Sequence, residues 1–172
     1  LARARKWQAD FVKIETPFGV VVAEYEATTA AFDGVDEYDE NEFLLGDDGA
    51  PVLPELAGEG DIAVLGQRLV AARAALVDLK ARLVNAQRWQ ENYAAFGVVV
   101  AEYDEAVAAF DAVEEHEDNE FLLGGDDAPA LPVIAHGDDL GALLVEARTI
   151  LAALQARLVN AQRWQENYAA FG

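Results

Sequence analysis

Carboxylates are the groups in this sequence most able to do chemistry, and they form two matching acidic runs. The first run is Asp33, Asp36, Glu37, Asp39, Glu40 and Glu42, and the second is Asp111, Glu114, Glu115, Glu117, Asp118 and Glu120. Carboxylate oxygens are ligands for hard cations such as Ca²⁺, so weak divalent-cation binding by these runs is one expectation. The spacing of an EF-hand loop is missing, and we favour a solvated acidic face.

The two histidines are the next candidates for metal binding or proton transfer. His116 lies within an acidic run and His136 precedes Gly137, but the matching places in the first half of the chain hold Tyr38 and Gly58. A catalytic or metal site would not vanish between near-identical copies, so surface histidines are the better interpretation. The pairs Asp47–Asp48 and Asp126–Asp127 are interpreted as turn residues.

Nucleophilic catalysis has few possible carriers in this sequence. Cysteine is absent and no serine occurs, which removes the usual activated nucleophiles. No phosphate-binding loop, dinucleotide turn or HExxH pattern is present. We therefore expect no catalytic, metal or cofactor-binding residues, and a protein that is not an enzyme.

Aromatic residues recur at the end of each repeated segment and are the candidate interaction or junction residues. They are Trp7, Trp89, Tyr93, Phe96, Trp164, Tyr168 and Phe171. Such residues supply binding hot spots in protein interfaces. The alternative, which we favour, is that they pack at the junction between structural units.

Internal repetition dominates the chain. Residues 81–97 recur unchanged at 156–172, and FGVVVAEY at 18–25 recurs at 96–103. NEFLLG and the APxLP pattern also recur, at 41–46 and 119–124 and at 50–54 and 128–132. The sequence therefore predicts a helix at 1–18 that ends a preceding repeat, repeat 1 at 19–97 and repeat 2 at 98–172.

Each repeat is predicted to hold two helices joined by a loop rich in Gly, Asp and Pro. The first helices cover about 17–45 and 97–123, with Thr16 and Pro17 as cap and first turn, and the loops cover 46–60 and 124–138. The second helices begin near Asp61 and near Asp138 or Asp139.

Apolar residues spaced by three and four run through the second helix and past Gly97, and we favour one long helix from about 61 to 122. The spacing continues through Phe96, Val100, Tyr103, Val107 and Phe110. The alternative is a helix that breaks at Gly97, because glycine disfavours helix interiors.

Charge is segregated between the helices. Residues 19–60 carry twelve acidic and no basic side chains, whereas 61–91 carry five basic and three acidic ones. This pattern favours an acidic helix packed beside a basic one. The predicted fold is all-α, with tandem antiparallel two-helix hairpins of coiled-coil type forming an elongated rod that shares a long helix between repeats.

The net charge of −20 argues against binding to nucleic acid or to anionic membrane surfaces, which need basic residues. A protein partner or self-association is open, because the segments 20–22 and 98–100 are apolar on all sides of a helix. A homodimer with four-helix cross-sections would enclose them.

Three functions remain open. The first is a non-catalytic structural or spacer segment of a larger extracellular or cell-surface protein. The second is a helical, adhesin-like binding module that acts by multivalency. The third is a cytoplasmic coiled-coil scaffold of a salt-adapted organism, since such acidity suits a high-salt cytoplasm.

Overall fold

The computed structural model describes residues 1–35, 49–56, 60–113, 129–135 and 137–171. Within these ranges the chain forms three helices and no strand: α1 (Ala2–Phe32), α2 (Ile62–Asp111) and α3 (Leu140–Phe171). The predicted all-α class is confirmed. The acidic runs beyond Asp33 and Asp111, both Asp pairs and both histidines lie outside the described residues.

Helix α2 runs without interruption through Gly97, as we predicted, and the alternative of a break there is wrong. Apolar residues on both sides of the glycine, Phe96 and Val99, are buried and hold the helix in place. The helix ends at Asp111 instead of near 122. Burial also falls one position earlier than the predicted spacing, on Val99 and Ala106 and not on Val100 and Val107.

Helix α1 differs from the prediction at both ends. It begins at Ala2 and contains Pro17, so Thr16 and Pro17 do not start a helix. A proline inside a helix costs about 3 kcal/mol, because it removes a backbone N–H and crowds the preceding turn. Burial of Ile14 and of Phe18, on either side of the proline, offsets that cost. The helix ends at Phe32, not near 45.

The starts of α2 and α3 are capped by carboxylates, as predicted. The Asp61 carboxylate accepts a hydrogen bond from the backbone N–H of Ala63 at 2.9 Å, and that of Asp139 accepts one from Ala142 at 3.2 Å. These bonds satisfy N–H groups that have no partner within the helix.

The described chain divides into two compact units, Leu1–Gln90 (unit 1) and Glu91–Gly172 (unit 2), and α2 contributes to both. The repeat boundaries at Gly19 and Gly97 are a different division of the chain, and they stay a prediction. In unit 1, α1 packs against the first half of α2. The core consists of Ile14, Phe18, Val21, Leu65, Leu69, Ala72 and Leu76.

The two helices of unit 1 are parallel, and the predicted antiparallel packing is wrong. Near the start of α1, the Trp7 indole donates a hydrogen bond to the Gly60 carbonyl, just before α2 begins. Seventeen residues later in α1, Glu24 pairs with Lys80, far along α2. Both helices therefore advance in the same direction.

A constant offset relates the buried residues of the two helices. Adding 51 to a buried α1 position gives a buried α2 position in every layer. The layers that this offset assigns are Ile14 with Leu65, Phe18 with Leu69, Val21 with Ala72 and Thr28 with Leu79, and Val35, just after the end of α1, is related to Ala86 in the same way. Steps of three and four along both helices keep these residues on facing stripes.

Parallel packing is possible because residues 49–56 (strap 1) return along the helices in an extended conformation. An extended chain from Gly49 to Glu55 spans about 20 Å, and Arg82 and Arg68, which bind its two ends, are about 20 Å apart along α2. The strap therefore runs back along α2 towards the start of that helix. Leu53 and Leu56 pack against the helical core.

Unit 2 has the same orientation of its helices. Asn92, near the start of the unit, lies beside Gly141 in the first turn of α3, because a Cβ atom added to that glycine would be 3.5 Å from the Asn92 amide nitrogen. An offset of 48 relates its buried positions and assigns the layers Phe96 with Leu144, Val99 with Ala147 and Ala106 with Leu154, and Val113, just after the end of α2, is related to Ala161 in the same way.

Candidate functional site

The predicted aromatic residues fall into separate places. Trp7 lies beside Gly60, and Trp89 lies 29 residues further along the chain in the same unit, about 40 Å away along α2. The structure therefore does not bring these two indoles into one surface. Trp7 stacks on Phe11 with ring centroids 5.0 Å apart.

Most of the aromatic residues within α2 are covered. Trp89 and Phe96 are each 7% exposed, and Tyr93 is partly buried. Phe96 corresponds to Phe18 in the sequence repeat, and Phe18 belongs to the core of unit 1. At these positions the observed burial supports a packing role.

The end of α3 carries an aromatic surface that is open to solvent. Trp164 and Tyr168 stack with ring centroids 5.1 Å apart, and Phe171 follows on the same side of the helix. Tyr168 is 51% exposed and Phe171 is 94% exposed. Aromatic side chains grouped in this way can bury large apolar area against a partner.

Strap 1 is the feature that sequence reasoning missed. Its backbone carbonyls accept hydrogen bonds from side chains of both helices: Tyr25 Oη to Pro51 at 2.6 Å, Arg82 Nη1 to Gly49 at 2.9 Å, and Arg68 Nη1 to Glu55 at 2.9 Å. Hydrogen bonds to the helices therefore hold the strap near its start, its middle and its end.

The composition of the strap explains why it can lie on helices without joining a sheet. Pro51 and Pro54 have no backbone N–H, so they need no hydrogen-bond acceptor, and proline favours extended backbone in the residue before it. The backbone carbonyls of the strap still need hydrogen-bond donors, and long polar side chains of the two helices supply them. The strap therefore covers one side of the helix pair, as a third helix would in a three-helix bundle.

The matching segment of unit 2, residues 129–135 (strap 2), is held in the same way. Tyr103 Oη donates a hydrogen bond to the Pro129 carbonyl at 3.0 Å. In both units the tyrosine precedes its proline by 26 residues. The signal was present in the sequence, since FGVVVAEY and APxLP recur together at a fixed distance.

Other kinds of site were sought among the described residues. No group of three or more potential metal ligands occurs in the ranges that the structure describes, and no helix there is long and apolar enough to cross a membrane. Comparison of the chain with protein-family models, with curated proteins and with solved structures finds no match.

Proposed function

We propose that this chain is a non-catalytic structural segment, in which each unit is a parallel, coiled-coil-like helix pair closed by an extended strap. The observation that carries the proposal is the tyrosine–proline hydrogen bond made at the same repeat position in both units. Equivalent residues serve the same structural purpose twice. Repetition without specialisation suits a spacer, which gains length from each added copy.

The shared helix supports the same role. Helix α2 has 50 residues, which corresponds to a length of about 75 Å. The helix contributes residues to both units. In this proposal the chain is part of a longer repetitive protein at the cell surface.

Small-angle X-ray scattering from the full chain tests the spacer role. A compact protein of 172 residues has a radius of gyration of about 16 Å. A spacer is expected to exceed that value clearly when the data are extrapolated to zero concentration. A value close to that of a compact protein would refute the spacer role, whatever the association state at higher concentration.

The aromatic residues that recur at the end of each repeated segment favour a second candidate function, a protein-binding module. Under this alternative, Trp164→Ala should leave stability nearly unchanged and abolish binding to a candidate partner immobilised on a sensor. Trp89→Ala is the matched comparison, because the same residue in the identical segment is buried and its loss should destabilise the fold. Equal destabilisation by both substitutions would support packing at both places.

A further inference from the structure

Two parallel helices leave a groove on each side of their contact, and strap 1 fills only one of these grooves. On α2, the strap-binding Arg68 and Arg82 each precede by one residue a position of the apolar stripe, the buried Leu69 and the partly buried Leu83. Arg73 and Lys80 each follow a core position by one residue. At about 100° per residue these two pairs lie on opposite flanks of the core stripe.

The second groove, on the flank without the strap, is lined by small apolar side chains and by ion-pairing groups. The Lys80–Glu24 pair spans this groove, which identifies the residues of both helices that border it. We name this surface the open face. It consists of Val20, Glu24 and Ala27 on α1 and of Val70, Arg73, Val77, Lys80 and Val84 on α2.

The valines of the open face stand where a solvated helix would carry polar residues. Val70, Val77 and Val84 recur every seven residues and are 66%, 68% and 53% exposed. Val20, across the groove on α1, is 55% exposed. Single exposed valines are ordinary, but a row of them on one flank indicates an interaction surface.

Unit 2 keeps part of this pattern. Val98 and Val145, which correspond to Val20 and Val70, are 58% and 64% exposed. Glu102 and Arg148 stand in place of Glu24 and Arg73. Three positions differ, because unit 2 has Glu105, Ala152 and Gln155 where unit 1 has Ala27, Val77 and Lys80. The open face is therefore complete in unit 1 and only partly repeated in unit 2.

We propose that the open face of unit 1 binds the open face of a second copy of this chain. Its charges select the geometry, because Glu24 borders it on α1 whereas Arg73 and Lys80 border it on α2. A two-fold axis parallel to the helices sets α1 of one copy against α2 of the other, acidic against basic. A perpendicular two-fold axis in the same interface sets like charges together.

The resulting bundle has four helices that all point in the same direction. Rotation about an axis parallel to the helices keeps every residue at its own level. The offset of 51 puts Val20 level with position 71, so Val20 of one copy lies beside the partner's Val70. Ala27 lies beside the partner's Val77 for the same reason. The association goes beyond the spacer role and does not depend on it.

Disulfide trapping tests the geometry, and the absence of cysteine from the chain makes each introduced thiol unique. Full-length Val20→Cys and Val70→Cys proteins, with different mass tags, are mixed and oxidised. A mixed disulfide should form, because disulfides require Cα atoms within about 7 Å. In the matched control, Val20→Cys is mixed with Val84→Cys, whose α2 position lies about 20 Å further along the helix.

The proposal requires the yield of the mixed disulfide between positions 20 and 70 to exceed that between positions 20 and 84 at least about tenfold. The reason is that the dimer raises the local concentration of only the first pair of thiols. Equal yields would overturn it. If the main product were instead a disulfide between two Val20→Cys chains, the proposed two-fold axis would be wrong. That disulfide requires α1 of one copy to lie against α1 of the other.

Sedimentation equilibrium of the full chain tests the association itself. Val77→Glu should raise the dimer dissociation constant at least about tenfold, because it places a carboxylate in the contact. Ala74→Glu is the control, since it adds the same charge to an exposed position of the same helix outside the open face. Circular dichroism confirms that both variants fold. A purely monomeric wild-type chain at millimolar concentration, or equal effects of the two variants, would overturn the proposal.

Discussion

The two units solve the same packing problem with partly different residues. Both bury layers at a constant offset and both hold the strap by a tyrosine that binds a proline carbonyl. Unit 1 adds Arg68 to hold its strap, where unit 2 has Leu143, and it adds Lys80 to pair with Glu24, where unit 2 has Gln155. The shared residues are what the architecture requires, and the others adjust its stability.

Identical sequence does not bring identical burial. Phe96 and Phe171 end the two copies of the same 17-residue segment, yet Phe96 is 7% exposed and Phe171 is 94% exposed. Phe96 lies within α2 and is followed by further helix, whereas Phe171 is the last residue of α3, so its exposure reflects the end of that helix.

Loss of a core leucine should have the largest effect and should be similar in the two units. Leu79 and Leu154 are equivalent and are 0% and 2% exposed. Replacement of either residue by alanine is expected to lower the free energy of unfolding of its unit by about 2–5 kcal/mol, because a buried cavity remains. Urea unfolding followed by circular dichroism measures it, with exposed Val64→Ala as the control. A loss no greater than in the control would contradict the layer assignment.

Loss of the tyrosine hydroxyl should have a smaller effect that differs between the units. Tyr25→Phe and Tyr103→Phe each remove a hydrogen bond worth about 0.5–1.5 kcal/mol. Strap 2 should loosen more than strap 1, because Arg68 also holds strap 1 and position 143 is leucine. Hydrogen exchange of residues 49–56 and 129–135 measures this difference.

Val52→Ala is the control for the strap experiment, since that side chain is 85% exposed and should leave exchange unchanged. Unaltered exchange in both straps after the tyrosine substitutions would show that the hydroxyl bonds do not hold them.

Two equivalent glycines should respond differently to alanine. A Cβ atom added to Gly66 meets nothing within 4 Å, so Gly66→Ala should stabilise α2 by about 0.5–1 kcal/mol. A Cβ atom at Gly141 would lie 3.2 Å from Asp139 Oδ1, the oxygen that caps α3. The disturbed cap should cancel most of the gain. Thermal unfolding of both variants measures the difference, and equal stabilisation would contradict it.

The ion pair should contribute least. Lys80→Gln converts unit 1 to the residue of unit 2 and should cost no more than about 1 kcal/mol, because both side chains are about half exposed. Gln155→Lys should produce a similarly small gain by giving Glu102 a partner. Urea unfolding at low and high salt measures both changes, and an effect that does not diminish with salt would exclude an ion pair as its source.

The helices could be predicted from the sequence, but their direction could not. Steps of three and four identify the buried face of α2, and carboxylates mark its start. The same spacing of apolar residues suits parallel and antiparallel helices equally. Strap 1 is held through its backbone carbonyls, which every residue type has, so its sequence shows no periodic pattern that would predict it. Charge segregation predicted an acidic helix beside a basic one, but α1 carries as many basic as acidic side chains, and Glu24–Lys80 is one acidic–basic contact between the two helices.

Pro17 shows why local rules failed at the start of the chain. Proline next to threonine is a good helix start, and only the burial of Ile14 on the preceding turn favours a helix that continues through it. The aromatic candidates stay a prediction as junction or interaction residues. Which of them are buried depends on the helices that pack against them, and no local pattern encodes this.

The parallel register also sets how the chain must fold. Every layer of unit 1 joins residues 51 positions apart, so no layer can form until a loop of about that length has closed. Helical proteins usually fold fast because their contacts are local in sequence. This chain has helical secondary structure together with long-range contacts of the kind found in parallel sheets. We therefore expect closure of this loop, and not helix formation, to limit its folding rate.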